Sequence, residues 1–308
     1  MKILITGGAG YIGSVLASDL LNSNNHVTIV DTFSYNENSL SHICNNKKLK
    51  IIKSDFRDFS SYKDDLNSSD IIIPLAGLVG APMCKKYPHE AKSINLDSQI
   101  KILNEISEQQ IVLMPTTNSA YGTSKGEICN EESQLNPIST YAKHKVQVEN
   151  ELMQKNNRIS FRLATVFGMS PRMRIDLLVN DFVFRAINEK FIVLFEHKFY
   201  RNYIHVRDVS NAFLFGIKNF ENLKNNIFNV GLSDANLNKL ELCEKIKEFI
   251  DFKIIIDEIE KDPDQRNYIV SNKKIEKFGF KANYSLDDGI EELIKGYKSF
   301  KFRKFSNV

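Results

Sequence analysis

The sequence GGAGYIG occupies residues 7–13 and follows the apolar run ILI at residues 3–5 after a single threonine. The apolar run predicts a buried strand, and the pattern from Gly13 onward predicts a helix packed against it. Glycines between a strand and a helix allow positive φ angles and let the backbone approach a pyrophosphate at the helix N-terminus. The GxxGxxG spacing differs from the commoner GxGxxG, and a tight structural turn is the alternative interpretation. The predicted dinucleotide contacts are Gly7, Gly10, Tyr11, Ile12 and Gly13.

Short apolar runs alternate with helical patterns through the first half of the chain. This alternation is typical of an α/β fold with a Rossmann-type, doubly wound parallel sheet, whose ligand crevice lies at the carboxyl ends of the strands. The predicted strands lie near residues 2–6, 26–31, 50–54, 70–74, 110–115 and 158–163, and the predicted helices near 11–22, 38–44, 59–66, 89–107 and 138–155.

The regular alternation ends near residue 165. The mixed pattern after it predicts a smaller α/β substrate-binding lobe over residues 166–308, partly interleaved with a cofactor-binding domain over residues 1–165. No repeat or flexible linker divides the sequence, so we expect two lobes around one cleft. In this half the predicted strands lie near 192–195, 203–205, 227–230 and 253–256, and the predicted helices near 173–189, 206–219, 239–250, 271–277 and 285–297.

The charge balance argues against a nucleic-acid-binding protein. The 308 residues include 41 basic and 38 acidic ones, for a formal charge of +3. Residues 295–305 are basic with interleaved aromatic residues, and we interpret them as a helix end that continues into a solvated tail, with a nucleic-acid or membrane-surface patch as the alternative. No apolar run approaches the roughly 20 residues that cross a bilayer.

The cysteines indicate neither a metal site nor a disulfide framework. The four of them are scattered without metal-ligand spacing. Met1 and Lys2 lead straight into the first predicted strand and leave no room for a signal peptide, which favours the cytoplasm.

Asp31 ends the second predicted strand and favours NAD over NADP. A carboxylate in this position accepts both ribose hydroxyls of an adenosine and repels a 2′-phosphate. Residues 32–34 contain no arginine that would bind such a phosphate. A solvated strand end is the alternative interpretation of Asp31. Asp55 follows the third predicted strand, where it can bond the adenine or cap a turn.

Tyr141 and Lys145 lie four residues apart on a predicted helix and therefore share one face. A phenol with a pKa near 10 is a poor base at neutral pH. A neighbouring ammonium and a positive nicotinamide ring both stabilise the phenolate and lower that pKa. Combined with the glycine turn, this pair predicts a nicotinamide-dependent enzyme that acts on an alcohol.

The segment MPTTNSAYG at residues 114–122 ends the predicted fifth strand and brings several hydroxyl groups to the same crevice. With the glycine turn and the Tyr141–Lys145 pair, it resembles the extended short-chain dehydrogenase/reductase family of nucleotide-sugar epimerases and dehydratases. The resemblance extends from the glycine turn to Arg266.

The resemblance implies a catalytic trio of Thr117, Tyr141 and Lys145, with Thr116 and Ser119 as alternatives to Thr117. Tyr141 then removes a proton from a sugar hydroxyl while hydride leaves the same carbon for NAD. Lys145 holds the ribose and tunes Tyr141, and Thr117 orients the substrate oxygen.

Dehydration is not expected of this chain. In the family's 4,6-dehydratases an Asp and a Glu follow the catalytic Thr and move the protons needed for loss of water. The corresponding residues here are Asn118 and Ser119, and neither can perform that acid–base work.

The resemblance also implies contacts with the cofactor and with a nucleotide-sugar diphosphate. Arginine suits a phosphate because its planar fork donates two hydrogen bonds, although an ordinary surface ion pair is the alternative for Arg201 and Arg266. The implied cofactor contacts are Leu75, Ala76 and Gly77, and the implied substrate contacts are Arg172, Arg174, Asn180, Arg201 and Arg266.

Two segments, at residues 74–86 and 161–181, resemble bacterial GDP-glycero-manno-heptose 4-dehydrogenases. This implies NAD-dependent oxidation of carbon 4 of a GDP-heptose in capsule or surface polysaccharide biosynthesis. Nucleotide-sugar 4-epimerisation is the alternative, and a non-catalytic NAD-sensing regulator is a more distant one. The resemblance further implies a homodimer formed through the helices near 89–107 and 141–155. Cys84 is expected near the cofactor, as a small buried hydrophobe more than as a reactive thiol.

Overall fold

The computed structural model describes residues 1–35, 38–257 and 266–300. Its strands are β1 (Lys2–Thr6), β2 (His26–Asp31), β3 (Leu49–Lys53), β4 (Ile71–Pro74), β5 (Ile111–Thr117), β6 (Thr123–Cys129), β7 (Arg158–Leu163), β8 (Thr165–Phe167), β9 (Phe191–Phe195), β10 (Tyr200–His205), β11 (Asn226–Val230), β12 (Asn236–Asn238), β13 (Lys253–Asp257) and β14 (Asn267–Val270). Its α-helices are α1 (Tyr11–Asn22), α2 (Lys63–Ser68), α3 (Ala81–Lys86), α4 (Pro88–Lys92), α5 (Ser98–Glu105), α6 (Thr140–Leu152), α7 (Leu178–Asn188), α8 (Val206–Lys218), α9 (Phe220–Leu223), α10 (Lys239–Lys247), α11 (Lys273–Lys277) and α12 (Leu286–Ser299).

The main sheet has seven strands in the order β11-β7-β5-β4-β1-β2-β3, and each neighbouring pair is parallel. The α/β prediction with a doubly wound parallel sheet is therefore confirmed. All six strands predicted for the first half belong to this sheet. Central strands such as β4 and β7 are buried along their whole length, as expected for a parallel sheet that is covered on both faces.

Helices cover the two faces of the main sheet because successive side chains of a strand point to opposite sides. Ile3 and Ile5 of β1 pack on the face covered by α1 and α8. Leu4, between them, packs on the other face with Ile102 of α5 and Val148 of α6. The catalytic helix predicted near 138–155 is therefore one of the helices on this second face.

Several helices differ from their predicted extents. The helix predicted near 38–44 is only a 3₁₀ turn at Ser41–Ile43, and the one near 89–107 is divided into α4, a π-helical turn at Ser93–Asp97 and α5. The helix predicted near 173–189 begins only at Leu178, after Leu177 in an extended conformation.

Three small sheets complete the fold, in the orders β12-β10-β8, β13-β9 and β14-β6. Buried apolar side chains of α7, α10 and α12 pack together in a second cluster. Two strands that follow residue 165 pair with strands that precede it: β11 pairs with β7 in the main sheet, and β14 pairs with β6. The division into residues 1–165 and 166–308 stays a prediction.

The basic tail predicted at 295–305 is only partly described. Residues 295–299 belong to α12, and residues 301–305 lie outside the described residues. In the portion of the chain that the structure covers, every helix is too short or too polar to span a membrane.

We predict that Gly7→Ala costs more stability than Gly279→Ala, although both glycines have positive φ angles of 74° and 98°. A Cβ atom at position 7 would lie 2.5 Å from the backbone nitrogen of Ala76, whereas one at position 279 has no heavy atom within 4 Å. Strained φ alone costs about 1–2 kcal/mol, and overpacking adds about 1–3 kcal/mol. Urea unfolding measures both losses. Equal losses for the two variants would contradict the prediction.

Candidate active site

The glycine turn leaves room for an anionic group at the N-terminus of α1. Its N-cap residue is Gly10, which has no side chain to occupy the free backbone N–H groups, and the first turn contains no acidic residue. A Cβ atom at Gly13 would lie 2.6 Å from the Cα atom of Gly8, so the close turn requires glycine there. Helix dipole and free N–H groups together favour a pyrophosphate. The turn therefore fits the predicted dinucleotide.

Asp31 lies at the end of β2 beside this turn. One carboxylate oxygen accepts a hydrogen bond from the Ala9 N–H at 2.9 Å, and the other accepts one from the Phe33 N–H at 2.8 Å. Burial raises the pKa of Asp31, while the two N–H groups and the charge of Arg172 oppose that rise. A carboxylate oxygen has capacity for further donors, so ribose hydroxyls can still bind here.

Asp55 caps a turn, which is one of its two predicted roles. It accepts hydrogen bonds from the backbone N–H and from Nε of Arg57, both at 2.9 Å. The Arg57 guanidinium holds the pKa of Asp55 below its usual range. Its contact with an adenine stays a prediction.

The loop after β4 lies against the glycine turn, as the predicted cofactor contacts Leu75, Ala76 and Gly77 require. The Leu75 N–H donates to the Thr6 carbonyl at 2.9 Å, and the Ala76 backbone adjoins Gly7. Gln99 donates to the Ala76 carbonyl at 2.7 Å. These bonds fix the loop at the carboxyl end of the sheet, where the crevice is expected.

Helix α6 carries Tyr141 and Lys145, and its N-cap residue Ser139 accepts a hydrogen bond from the Ala142 N–H. Nζ of Lys145 donates to the Pro115 carbonyl at 3.2 Å, which ties the helix to the end of β5. Burial raises the pKa of Tyr141 to about 12 and lowers the pKa of Lys145 to about 8. Burial thus disfavours both the phenolate of Tyr141 and the ammonium of Lys145.

Two arginines from the second half of the chain oppose this effect at Tyr141. The charges of Arg174 and Arg266 both lower the pKa of the phenol. For these two residues the sequence motifs predicted substrate binding and no other role. Their position adds positive charge that favours the phenolate.

The three candidate hydroxyls differ in what they contact. Thr116 is buried and donates to Oε2 of Glu149 at 2.8 Å, so it faces the interior. Oγ1 of Thr117 lies 3.0 Å from Oγ of Ser119, which also accepts a hydrogen bond from Arg266. This arrangement favours Thr117 and Ser119 over Thr116 as the partner of Tyr141.

Asn118, between Thr117 and Ser119, is 1% exposed. Within the described residues, neither its amide nitrogen nor its amide oxygen has a hydrogen-bond partner. An orphaned buried amide is uncommon and calls for a polar partner at this site.

Arg172 and Arg174 contact different groups of the protein, and their contacts with the substrate stay predictions. Arg174 forms an ion pair with Asp176 and acts on Tyr141. Arg172 lies over the ring of Tyr35, 4.6 Å from its centroid, and its charge acts on Asp31. Arg172 therefore lies at the predicted adenosine end of the crevice.

Asn180 is fully buried, and its amide is used within the protein. Oδ1 accepts a hydrogen bond from the Gly168 N–H at 2.9 Å, and Nδ2 donates to the Arg174 carbonyl at 2.8 Å and to the Tyr11 hydroxyl at 3.2 Å. These bonds hold the segment that carries the two arginines. The substrate contact of Asn180 stays a prediction.

Arg201 and Arg266 lie together, as a shared phosphate site requires. Arg201 is 3% exposed, donates to the Arg266 carbonyl, and lies over the ring of Tyr268 at 5.5 Å. Arg266 reaches Ser119 beside the catalytic Thr117. Both therefore border the crevice next to the predicted reaction centre.

The sequence motifs did not predict a buried ion pair that lies beside the site. Nη2 of Arg162 lies 2.6 Å from Oε1 of Glu149, with side chains 4% and 2% exposed. Glu149 follows Lys145 by four residues on α6, and this spacing was the available signal. Arg162 also donates to the Tyr121 hydroxyl at 3.1 Å, which donates to Asn229 at 2.7 Å.

Asn95 was also missed, because a π-helical turn leaves no sequence signal. Its side chain accepts from the Leu78 N–H and donates to the Leu78 carbonyl, both at 2.8 Å. Cys84 packs beside it and donates to the Leu78 carbonyl at 3.3 Å. Burial raises the pKa of the Cys84 thiol to about 11, which favours the buried-hydrophobe interpretation over a reactive thiol.

The site lacks the residues of a metal centre as far as it is described. Across residues 1–35, 38–257 and 266–300, no cluster of three His, Cys, Asp or Glu side chains could hold a metal ion. The glycine turn and the parallel sheet together are typical of an enzyme that binds a dinucleotide.

Comparison with known proteins identifies the family. Residues 3–231 match the sequence profile of the NAD dependent epimerase/dehydratase family. A protein named putative UDP-glucose 4-epimerase from Methanocaldococcus jannaschii is 27% identical, over 96% of this chain and 98% of its own length. The chain belongs to the NAD dependent epimerase/dehydratase family, and its cofactor is NAD.

Solved structures agree with this fold. The UDP-glucose 4-epimerase of Thermotoga maritima, determined with UDP-glucose, superposes with a TM-score of 0.84 at 21% identity, covering 97% of this chain and 99% of that one. The UDP-glucose 4-epimerase of Thermus thermophilus, determined with NAD, gives 0.82 at 20% identity, with coverages of 97% and 99%. At this identity the likeness establishes the shared architecture.

We predict that Glu149→Gln destabilises the protein by about 3–5 kcal/mol, because the variant leaves the buried Arg162 guanidinium without its counter-charge. The matched control is Glu221→Gln, which removes an exposed pair with Lys224 and should change stability by less than about 1 kcal/mol. Urea unfolding of both variants tests the difference. A loss for Glu149→Gln as small as the control's would contradict the role assigned to the pair.

Proposed function

We propose that the protein is an NAD-dependent nucleotide-sugar 4-epimerase. The observation that supports chemistry at a sugar hydroxyl is that Lys145 of α6, one turn from Tyr141, donates a hydrogen bond to Pro115 close to Thr117 at the end of β5. The names of the relatives support epimerisation, since the M. jannaschii protein and both quoted structures are called UDP-glucose 4-epimerases. Family membership supports NAD-dependent chemistry on a nucleotide-sugar.

In the proposed reaction, Tyr141 acts first as the base. NAD, when bound, accepts the hydride from carbon 4 of the sugar. The Tyr141 phenolate takes the hydroxyl proton as the C–H bond breaks, and Thr117 holds the same oxygen. Once the 4-keto sugar has rotated in the site, Tyr141 would return the proton to the oxygen, and the bound cofactor would supply the hydride to the opposite face of carbon 4. The two half-reactions leave the overall oxidation state unchanged.

Electrostatics determine whether Tyr141 can serve as this base. Burial is the largest influence on Tyr141 and raises its pKa to about 12 even with two opposing arginine charges, so few molecules carry the phenolate near neutral pH. Arg174 and Arg266 already favour the phenolate. Lys145 is one helical turn away on the same face and adds to them when protonated. A positive nicotinamide ring adds a further favourable charge in the complex.

Arg201 and Arg266 are proposed to bind the diphosphate of the substrate. Their proximity gives two guanidinium groups at one edge of the crevice. A diphosphate there would direct the attached sugar toward Ser119 and Thr117, since Arg266 already contacts Ser119. We also propose a homodimer, on the family resemblance.

Net oxidation is the second candidate. The segments at residues 74–86 and 161–181 resemble GDP-glycero-manno-heptose 4-dehydrogenases, which oxidise carbon 4 in capsule biosynthesis. The same catalytic residues serve that reaction, but the reduced cofactor must then be reoxidised by a second keto substrate. The intact set of Thr117, Tyr141 and Lys145 argues against a non-catalytic regulator.

Product analysis distinguishes the two candidates. The purified protein is incubated with NAD and, separately, with UDP-glucose, UDP-N-acetylglucosamine and GDP-glycero-manno-heptose. We expect a new isomer of unchanged mass and no net gain in NADH absorbance. A product lighter by two hydrogens, together with accumulating NADH, would replace the epimerase proposal by the dehydrogenase. Conversion of none of the three by NAD-loaded protein would refute both substrate assignments.

We predict that Tyr141→Phe lowers turnover about a hundredfold or more, because the variant keeps the ring but has no group that accepts the proton. NAD affinity should remain near that of the unmodified protein, as measured by calorimetry. Tyr87→Phe is the matched control, since Tyr87 is 46% exposed and its variant should retain full turnover. Full activity of Tyr141→Phe would overturn the assignment of the base.

A further inference from the structure

We propose that Tyr268 is a positioning residue for nucleotide-sugar binding, because its ring holds the Arg201 guanidinium at the edge of the crevice. This inference rests on the proposed function, in which Arg201 and Arg266 bind the diphosphate of the substrate. Tyr268 acts through Arg201 and needs no contact with the substrate itself. It follows Arg266 by two residues, beyond the part of the chain to which the family resemblance extends.

The Arg201 side chain contacts a ring and a backbone carbonyl of the same segment. Its guanidinium carbon lies 5.5 Å from the ring centroid of Tyr268, and its Nη1 atom donates to the Arg266 carbonyl. Both side chains are buried, with Arg201 3% and Tyr268 2% exposed. Strand β14 begins at Asn267, so the ring and the carbonyl are supplied by neighbouring residues at the start of this strand. The segment therefore bears directly on where the guanidinium lies.

Asn267 fixes the start of β14 by two further hydrogen bonds. Its N–H donates to the Gly122 carbonyl at 3.1 Å, and its Oδ1 atom accepts from the Tyr200 N–H at 2.9 Å. Asn267 thus joins β14 both to β10, which carries Arg201, and to the segment that follows Thr117.

The pairing of β14 with β6 is irregular at Tyr268. Asn267 pairs with Thr123, whereas Ile269 pairs with Ile128. Irregular pairing of this kind redirects side chains and is frequent next to active sites. The ladder is thus interrupted at the residue whose ring lies beside the guanidinium.

Tyr121 connects Tyr268 to the network that bonds α6 to the main sheet. The two rings lie edge to face, with centroids 6.4 Å apart and planes at 62°. Arg162 donates to the Tyr121 hydroxyl at 3.1 Å, and its guanidinium carbon lies 5.4 Å from the centroid of the Tyr121 ring. Buried contacts therefore run from Arg162, which pairs with Glu149, through both rings to Arg201.

This arrangement prepares Arg201 for a diphosphate before the substrate arrives. A ring face stabilises a cation that is removed from water, and a side chain that is already ordered loses less conformational entropy on binding. Loss of the Tyr268 ring would allow the guanidinium to leave its position. Tyr141 and Lys145 take no part in this contact, so we expect weaker substrate binding with little change in the chemical step.

The test measures nucleoside diphosphate binding to the NAD-loaded protein by calorimetry, with UDP and GDP in separate titrations. We expect Tyr268→Leu to raise the Kd of the tighter-binding nucleotide about tenfold, which corresponds to about 1.4 kcal/mol. The KM of the nucleotide-sugar should rise by a similar factor, while kcat stays within about threefold. General damage to the fold would lower kcat as well.

Variants of Arg201 and of a second ring show how the effect arises. In the Arg201→Gln background, Tyr268→Leu should raise the Kd no further, because the partner of the ring is already absent. Tyr268→Phe keeps the ring and should restore the affinity. The matched control is Phe59→Leu, which removes a ring 4.7 Å from Nζ of Lys101 on α5 and should leave the Kd unchanged.

Three results would contradict this role of Tyr268. The first is a Kd for Tyr268→Leu within about twofold of the unmodified protein, since such a change lies within ordinary mutational variation. The second is an undiminished effect of Tyr268→Leu in the Arg201→Gln background, and the third is a Tyr268→Phe variant that binds as weakly as Tyr268→Leu. Thermal melting checks folding, and Tyr268→Met replaces Tyr268→Leu, with the same expectations, if the latter does not fold.

Failure of the diphosphate assignment gives a different pattern. An unchanged Kd for Arg201→Gln, or binding of neither UDP nor GDP, would overturn the diphosphate site and the role of Tyr268 together. If Arg201→Gln weakens binding and Tyr268→Leu does not, only the role of Tyr268 is refuted. Neither pattern depends on whether the reaction is an epimerisation or an oxidation, which product analysis decides separately.

Discussion

The buried ion pair between Glu149 and Arg162 bonds the helix that carries Tyr141 and Lys145 to the main sheet. Glu149 of α6 accepts hydrogen bonds from Thr116 at the end of β5 and from Ser160 of β7. Arg162 extends the connection through Tyr121 to Asn229 of β11. One helix is therefore bonded to the ends of three neighbouring strands. Because a buried charge tolerates few arrangements, this network fixes the helix more tightly than apolar packing alone.

The position of the helix in turn places the chemical groups. Glu149 is one turn beyond Lys145, and Lys145 is one turn beyond Tyr141, so all three occupy one face. Glu149 accepts a hydrogen bond from Thr116. On either side of Thr116, the Pro115 carbonyl accepts a hydrogen bond from Lys145, and the Thr117 hydroxyl contacts Ser119. The alternation of side chains along β5 explains why Thr116 stabilises the interior while its neighbour Thr117 borders the crevice.

The sequence was sufficient wherever the determining contacts are local. The strand–turn–helix at residues 2–22 and the spacing of Tyr141 and Lys145 depend on neighbours a few residues away, and these elements lie where they were predicted. The pairing of β6 with β14 joins segments about 140 residues apart and was not visible in either segment. The contacts of Arg172 with Tyr35 and of Asn180 with Tyr11 were not visible for the same reason, since these partners lie far away in the chain.

The catalytic residues alone do not decide between epimerisation and net oxidation. Both reactions begin with the same removal of a proton and a hydride by the same groups. The outcome depends on which event follows first: reversal of the keto sugar within the site, release of that sugar, or release of NADH. Under the proposed function Arg201 and Arg266 bear on the second event, because two neighbouring guanidinium groups would hold the diphosphate of the sugar. A reduced cofactor that outlasts the turning of the sugar would favour return of the hydride. The choice between the two reactions would then depend on how long the site holds the keto sugar and the reduced cofactor, and not on Tyr141 alone.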